Sequence, residues 1–431
     1  MKLKTDFAVI GSGAGGATIA MELAKKGRKV LILDKGSFAK ESEIGTLRSA
    51  VLTFYDRCAL RASKEGIIIY RALMAGGTTF VSCGNGLPVL VDELEHCGID
   101  LKEEFEETER ELSIARLPDD FIGPGSRLIM NAANRLGFDM GPMPKFINTD
   151  KCILCGKCVL GCKTGAKWSA LDYIKVARKH GAKFVKNIDV KSIVTHNGKA
   201  VGVVGKSPKG TVRVFANKII VAAGGIGTPA ILKRSGIENA GNKLFADLFN
   251  VTYGIFKGEK INQWKEVSMS VLSAKFLKDR GFIISPFIDV PLILRWITSK
   301  KRQLQGFRYK KLLGIMVKIK DDSKVMVTEK GNFEKAPTIN DNKRLNEGAN
   351  IAEQILRETG IKSEDIFHTK PRAAHPGGSA AIGEVVDADL ETKIKNLYVC
   401  DASVLPLSPG APPIVTIVAL AKRLAKRILA S

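Results

Sequence analysis

An α/β chain with a parallel sheet at its centre is predicted by three features of the sequence. The first thirty-five residues run strand, glycine turn, helix, strand, and a strand, glycine turn and helix recur from Lys218 onward. A third dense motif near the C-terminus ends in a strand-like run, Leu397 to Cys400, and a closing helix to Leu429. Strands that alternate with helices in this way mark βαβ units. With 431 residues, 45% hydrophobic and 26% charged, the chain has the size for a large core and two or three domains.

The opening motif points to a phosphate-bearing ligand. An apolar strand, Phe7 to Ile10, runs into Gly11, Gly13 and Gly16 in the G-x-G-x-x-G spacing, and a helical stretch with Ile19 and Leu23 follows. A second apolar run, Val30 to Leu33, is closed by Asp34. Each glycine acts mechanically. Gly11 makes the tight turn, Gly13 lets backbone approach a pyrophosphate, and Gly16 lets helix and strand pack closely. The helix N-terminus offers unpaired N–H groups and a partial positive charge to phosphates. Asp34 stands where an acid accepts from a ribose hydroxyl, which an ordinary glycine turn would not need. A dinucleotide is therefore expected here.

Arg71 to Val89 holds Gly76, Gly77, Gly84 and Gly86, too many for a regular element, with Thr78, Thr79 and Asn85 as polar contacts. It reads as a loop that brings backbone close to a ligand. Leu101 to Leu112 reads as a solvated acidic helix. Cys152, Cys155, Cys158 and Cys162 then fall in the spacing C-x2-C-x2-C-x3-C, with Gly156 and Gly161 keeping the gaps flexible. This is the bacterial ferredoxin run, and it predicts a [4Fe–4S] cluster rather than zinc, whose knuckles stand further apart. The run stands alone and Lys163 follows it, so Cys83 and Cys400 are alternatives to Cys162 as fourth ligand. Cys58 and Cys97 read as small buried apolar residues.

Trp168 to His180 reads as an amphipathic helix, and Ala182 to Val204 alternates like strands. Lys218 to Gly225 is a strand with a second phosphate-type turn, and its helix is expected to open near Thr228 and Pro229. The composition then changes, with alternating runs at Leu313 to Lys320 and Lys324 to Thr328. These predict an inserted antiparallel sheet, followed by a helix from Asp341 to Thr359. Apolar Ile283 to Ile297 precedes Lys300, Lys301, Arg302, Arg308, Lys310 and Lys311. That segment reads either as a membrane-surface or partner-docking element, or as a lid over an apolar channel. Arg372 to Gly383 reads R-A-A-H-P-G-G-S-A-A-I-G and contains His375. Asp401 ends a strand, a good place for a carboxylate that holds cofactor hydroxyls. The final helix opens near Pro412 and Pro413, so its N-terminus points into the same region.

The net charge of +23 suits an anionic membrane surface, an acidic protein or an anionic substrate. No nucleic-acid module is present, so nucleic acid is not an expected partner. Lys2 and Lys4 lead straight into the first strand without a signal peptide, and no stretch is long and uninterrupted enough to span a bilayer. A cytoplasmic location is expected, with peripheral membrane contact as an option. Eight cysteines without an export signal suggest metal or redox chemistry rather than a disulfide framework.

Four ordered motifs now stand together: G-S-G-A-G-G, A-G-G-T-T…N-G, A-A-G-G-I-G-T-P…S-G-I, and H-P-G-G-S…Y-V-C-D-A-S-V-L-P…P-P-I-V-T. In this order they resemble the glucose–methanol–choline (GMC) oxidoreductase family, over both ends and the middle of the chain; the central insert matches in position only. The resemblance implies an FAD-binding Rossmann-like domain in three pieces, at about 1–100, 183–240 and 371–431. A helical connection with the small cysteine-rich segment would occupy 101–182, and the antiparallel-sheet substrate domain 241–370. It further implies FAD pyrophosphate at the first helix, adenosine ribose at Asp34 and the isoalloxazine side at Gly76 to Thr79, with Asn85 as a further cofactor contact of that loop. Val190 would lie near adenine, Gly224 at the second turn, Asp401 near ribitol and pyrophosphate, and Pro413 at the last helix.

His375 falls where the family places its active-site base. An imidazole titrates near neutrality and takes an alcohol proton while hydride leaves carbon. The family usually carries a second histidine or an asparagine where this sequence has Pro413, so the pair is incomplete. The cysteine run with Lys163 to Lys167 resembles a variant in the long-chain alcohol oxidase branch and in flavoproteins of anaerobes. The implied activity is dehydrogenation of a CH–OH group in an apolar, lipid-like substrate. Electrons would leave singly through the cluster to an acidic carrier such as ferredoxin, or to a partner subunit. Two alternatives stand beside it: a C=C or C=O reductase driven by reduced ferredoxin, and an electron-transfer flavoprotein subunit with no substrate chemistry.

Overall fold

A computed structural model describes residues 2–56, 67–258, 261–290, 293, 294, 297, 310–322 and 325–430. Two mixed sheets carry the architecture. In the first, Lys183–Val185, Val30–Leu33, Lys2–Ile10, Gly210–Val221, Lys199–Ser207 and Asp189–His196 lie side by side, and Leu397–Val399 pairs with Gly210–Val221. The pairings among the first four, and with Leu397–Val399, are parallel; the other two strands run antiparallel. Val30–Leu33 is buried along its whole length, as a parallel strand covered on both faces must be. The register aligns Ile10 with Leu33 and Val221, and Val221 with Val399. All four strands therefore end at one edge. The turns that follow them, at Gly11, Asp34, Ala222 and Cys400, are brought together there, where open α/β sheets bind ligands.

The second sheet runs Phe282–Pro286, Leu312–Ile319, Leu248–Ile255, Arg372–Ala374, Ile69–Tyr70, with Ile366–His368 also on Leu248–Ile255. The expected antiparallel sheet is antiparallel except at one edge, where Arg372–Ala374 pairs in parallel with Ile69–Tyr70. Ile69–Tyr70 comes from early in the chain and caps a strand edge that would otherwise stay open. One face lies under the Ile339–Glu358 helix, where Ile315, Val317 and Ile319 pack with Leu345, Ala352 and Ile355. By the two-residue period of a strand, Met316 and Lys318 point to the other face, and both line a large cavity.

Two local expectations are corrected. The helix expected near Thr228 opens at Gly224 and carries Pro229 inside it. Pro229 has no N–H for the Gly225 carbonyl, and Ser379 Oγ donates to that carbonyl instead, at 2.6 Å. The acidic helix, observed as Lys102–Leu112, is not simply solvated. Its carboxylates face the last helix, Ile414–Ala430, where buried Lys422 meets Glu111 and Glu22 at 2.9 Å each. Cys58, Lys324 and the basic residues from Lys300 to Arg308 lie outside the described residues. Among the described residues no helix is long and apolar enough to cross a membrane.

Glu111 gives this contact a pH signature. Burial raises its pKa, but bonds from Tyr173 and Lys422 outweigh burial and hold it below the ordinary 4.5. A depressed carboxyl contributes stability that is complete above its ordinary value and is lost as pH falls through the folded one. E111Q should therefore have a lower urea midpoint than the parent at pH 7. The gap should narrow as pH drops below 4.5, which denaturation curves across that range would read.

Candidate active site

One continuous cavity of about 530 Å³ runs from the carboxyl edge of the first sheet to the inner face of the second. That size suits a ligand site. Gly11, Gly13, Asp34, Gly77, Thr78, Thr79, Asn85, Val190, Gly224, Asp401, Pro413 and His375 all line it. Gly16 and Gly76 stand behind this lining. A Cβ at Gly16 would lie 2.2 Å from the Gly11 carbonyl oxygen, so Gly16 packs the helix onto its own turn. Gly76 has a φ of +85°, and its N–H donates to Ser12 Oγ at 3.1 Å.

Ser12 ties the two glycine loops to the acid. Its hydroxyl accepts from Gly76 and donates to Asp34 Oδ2 at 2.5 Å, while Gly36 N–H donates to Asp34 Oδ1 at 2.7 Å. Burial raises the Asp34 pKa against these bonds. Gly13 is the residue just before the Ala14–Lys25 helix, and a Cβ there would meet nothing within 4 Å. The open space thus lies at a helix N-terminus, where phosphate is favoured. Thr78 Oγ1 accepts from Ala72 N–H at 3.2 Å; Thr79 Oγ1 donates to the Gly76 carbonyl at 2.6 Å. Asn85 gives its carbonyl to buried Lys145 Nζ at 2.6 Å. Asp401 accepts from Gly224 N–H at 2.7 Å, Thr228 Oγ1 at 2.5 Å and Ser403 N–H at 2.8 Å, fixing the second turn. Burial raises the Asp401 pKa in spite of them. These groups fit a dinucleotide such as FAD: open backbone for phosphate, with a carboxylate on either side.

His375 stands at the other end. It follows the Arg372–Ala374 strand with a φ of +66°, a conformation that L residues rarely adopt. Its Nδ1 lies 2.9 Å from Asp247 Oδ2. Asp247 was not singled out from the sequence. It is fully buried, at a φ of +47°, and its Oδ1 accepts from Ser408 Oγ at 2.7 Å and Gly410 N–H at 3.1 Å. A carboxylate can only accept, so the imidazole hydrogen sits on Nδ1 and Nε2 is left with its lone pair. Burial, and then the charge of Lys318, lower the His375 pKa below 6.5, against the pull of Asp247. Around it lie Tyr70, Phe249, Phe287, Val290, Ile293 and Met316, an apolar wall to which the segment read as a lid or docking element contributes. Tyr70 Oη is buried in this wall, next to the Arg372 guanidinium.

The cysteine run does not assemble as expected. Cys155 is exposed; Cys152, Cys158 and Cys162 are partly buried. Cys162 Sγ is engaged by Lys167 N–H at 3.4 Å and by Thr164 at 3.5 Å. Burial pushes the Cys158 thiol up to about 11, whereas bonds from Lys167 and Thr164 outweigh burial and lower that of Cys162. Among the described residues, no three His, Cys, Asp or Glu side chains are gathered to hold a metal ion. The expected [4Fe–4S] ligation by Cys152, Cys155, Cys158 and Cys162 is not supported by this arrangement of the four thiols. Cys400, the other candidate, is buried under Gly15, and Cys83 lines the cavity.

Comparison with known proteins agrees with this layout. Models of the GMC oxidoreductase family match residues 96–250 and 321–421, and an NAD(P)-binding Rossmann-like domain matches 9–39. The uncharacterized protein MJ1450 of Methanocaldococcus jannaschii is 34% identical, over 98% of this chain and 100% of its own length. A long-chain-alcohol oxidase of Arabidopsis thaliana is 23% identical over 100% of this chain and 68% of its own. The solved structure of a formate oxidase from Aspergillus oryzae, studied for its FAD modification, superposes with a TM-score of 0.76. It is 15% identical, with 100% of this chain and 98% of that one covered. Two family models thus span the second turn, Asp247, His375 and Asp401, and the chain belongs to the GMC oxidoreductase family of FAD-dependent enzymes.

Proposed function

We propose that the chain oxidises the CH–OH group of an apolar substrate, with His375 as the base. The observation that carries this reading is the His375–Asp247 pair at the apolar end of a cavity whose other end has dinucleotide geometry. When bound, FAD supplies the acceptor for hydride. The chain holds it through the Gly11–Gly13 turn, Asp34, the Gly77–Thr79 loop and the Gly224–Asp401 turn. Nε2 of His375 takes the hydroxyl proton, and Asp247 keeps the ring in the tautomer that can do so. A pKa below 6.5 keeps the imidazole neutral, and so able to accept a proton, at pH 7.

The apolar wall from Tyr70 to Met316 suits a hydrocarbon substrate, and the alcohol oxidase among the relatives supports this class. The net charge of +23 supports an acidic protein as the final electron acceptor. H375A should retain stoichiometric FAD, yet reduce it with 1-octanol at least about a hundredfold more slowly under anaerobic stopped flow. In the parent, the acid limb of kcat/KM should lie below pH 6.5. Unchanged reduction in H375A would overturn the assignment.

A further inference from the structure

Lys318 is the one charged residue of the Leu312–Ile319 strand that its pleat turns toward the cavity. It is 3% exposed. Its cross-strand partner is Phe249, and its Nζ sits 4.6 Å from the centre of that ring. Arg372 approaches the same ring, at 4.8 Å, but its charge is matched by Asp289 through two hydrogen bonds. Lys145 and Lys167 are also buried, and each donates to carbonyls, of Cys83 and Ser268 and of Thr79 and Phe80. Among the described residues, Lys318 Nζ has no hydrogen-bond acceptor and no ion pair; it sits on the Phe249 ring, and the carboxylates of Asp247 and Asp321 act on it only through their charge. A buried ammonium without an acceptor is under-satisfied and open to an oxygen ligand.

Its position matters because of what it shares. Lys318 pairs across the sheet with Phe249, whose other partner, Arg372, lies three residues before His375; Lys318 and His375 line the same cavity, and His375 feels the charge of Lys318. At the foot of the last helix, Pro412 and Pro413 line the cavity without a polar side-chain group. We propose that Lys318 is a second catalytic residue, which donates a hydrogen bond to the substrate oxygen while His375 removes its proton. This rests on the oxidation reading above. In the step, the O–H bond breaks and its proton goes to His375 Nε2. The C–H bond breaks and its electron pair leaves as hydride to FAD; carbon is oxidised to C=O. Negative charge gathers on the oxygen in between. Lys318 keeps its own proton and stabilises that charge in a site shielded from water. Burial pulls the Lys318 pKa down to about 8, and Asp247, Cys83 and Asp321 partly offset it, so the amine is still mainly charged at pH 7.

The same ammonium should bind a carboxylate on an apolar chain, which gives a readout independent of turnover. Octanoate is the probe, titrated calorimetrically into FAD-loaded parent, K318M and K318R at pH 7, beside kcat and KM for 1-octanol. K318M should keep its FAD and melting temperature, weaken octanoate at least tenfold and lower kcat at least fiftyfold with a smaller change in KM. K318R should recover octanoate affinity. Should K318M not fold, K318Q carries the same expectation. Equal octanoate affinity and kcat in a folded, uncharged variant would overturn the role of Lys318 and leave the oxidation reading standing. Lysine-dependent octanoate binding in a parent that oxidises no alcohol would retain the oxyanion site and overturn the oxidation reading.

Discussion

D247N should lower kcat on the order of 10³-fold while leaving FAD content unchanged, because it reverses the tautomer of His375. Asp247 divides its two oxygens: Oδ1 accepts from Ser408 and Gly410, and Oδ2 faces His375 Nδ1. An asparagine must keep its carbonyl on Ser408 and Gly410, since turning it would set an amide N–H against the Gly410 N–H. Its NH₂ then faces Nδ1 and donates. Nδ1 becomes an acceptor, the ring hydrogen moves to Nε2, and the atom that must take a proton already carries one. D247A should damage both function and stability, because it leaves Ser408 and Gly410 without their acceptor. Steady-state kinetics with flavin quantitation and a thermal melt distinguish the two. A D247N enzyme with parental kcat would show that the pair merely supports the turn. The φ values of +47° and +66° at the two partners argue otherwise, since strain of about 1–3 kcal/mol per residue persists only where the surroundings enforce it.

That pair shows where the sequence could be read and where it could not. His375 is legible because glycines and proline surround it in a dense motif. Asp247 lies in L-F-A-D-L-F-N, 128 residues away, with no spacing to link them. Tertiary pairing joins them, through Leu248–Ala373 in the sheet and a Phe245–Gly377 bridge on the other side of both residues. Lys318 is equally silent: in a run read as alternating, Leu313 to Lys320, Lys318 and Lys320 both look like outward residues. The second sheet reverses that, because its other face lines a cavity and not solvent. The glycine turns and Asp34 were legible because nucleotide binding needs them at fixed distances along one βαβ unit. The cysteine run has an equally regular spacing. Yet Cys162 is engaged with Lys167 and Thr164, and Cys155 is left at the surface. Spacing along a chain fixes reach, and side-chain direction decides convergence.

Two glycines in the first turn should separate folding from cofactor binding. A Cβ at Gly15 would fall 1.9 Å from the Cys400 carbonyl oxygen and 2.8 Å from its carbonyl carbon. Both are backbone atoms next to Asp401 and have no rotamer to give. G15A must push the Ala14–Lys25 helix away from the Leu397–Val399 strand, at a stability loss of about 3 kcal/mol or more. The apo melting temperature should drop sharply, and FAD should be lost as a consequence. At Gly13 the same methyl meets nothing within 4 Å of the chain, and φ is an ordinary −70°. G13A should change the apo melt by no more than a weak N-cap preference allows, about 1 kcal/mol. The methyl would instead occupy the space open to a pyrophosphate at the helix N-terminus. FAD affinity should fall at least about a hundredfold, about 2.7 kcal/mol. Differential scanning fluorimetry with and without added FAD reads both effects, because a ligand raises the melt only as far as it binds the folded chain. In G13A the apo curve should stay while the FAD-induced shift disappears; in G15A the apo curve itself should move. If G13A kept the full shift, phosphate would have to approach elsewhere along the turn, and Gly13 would be open for a reason unrelated to FAD.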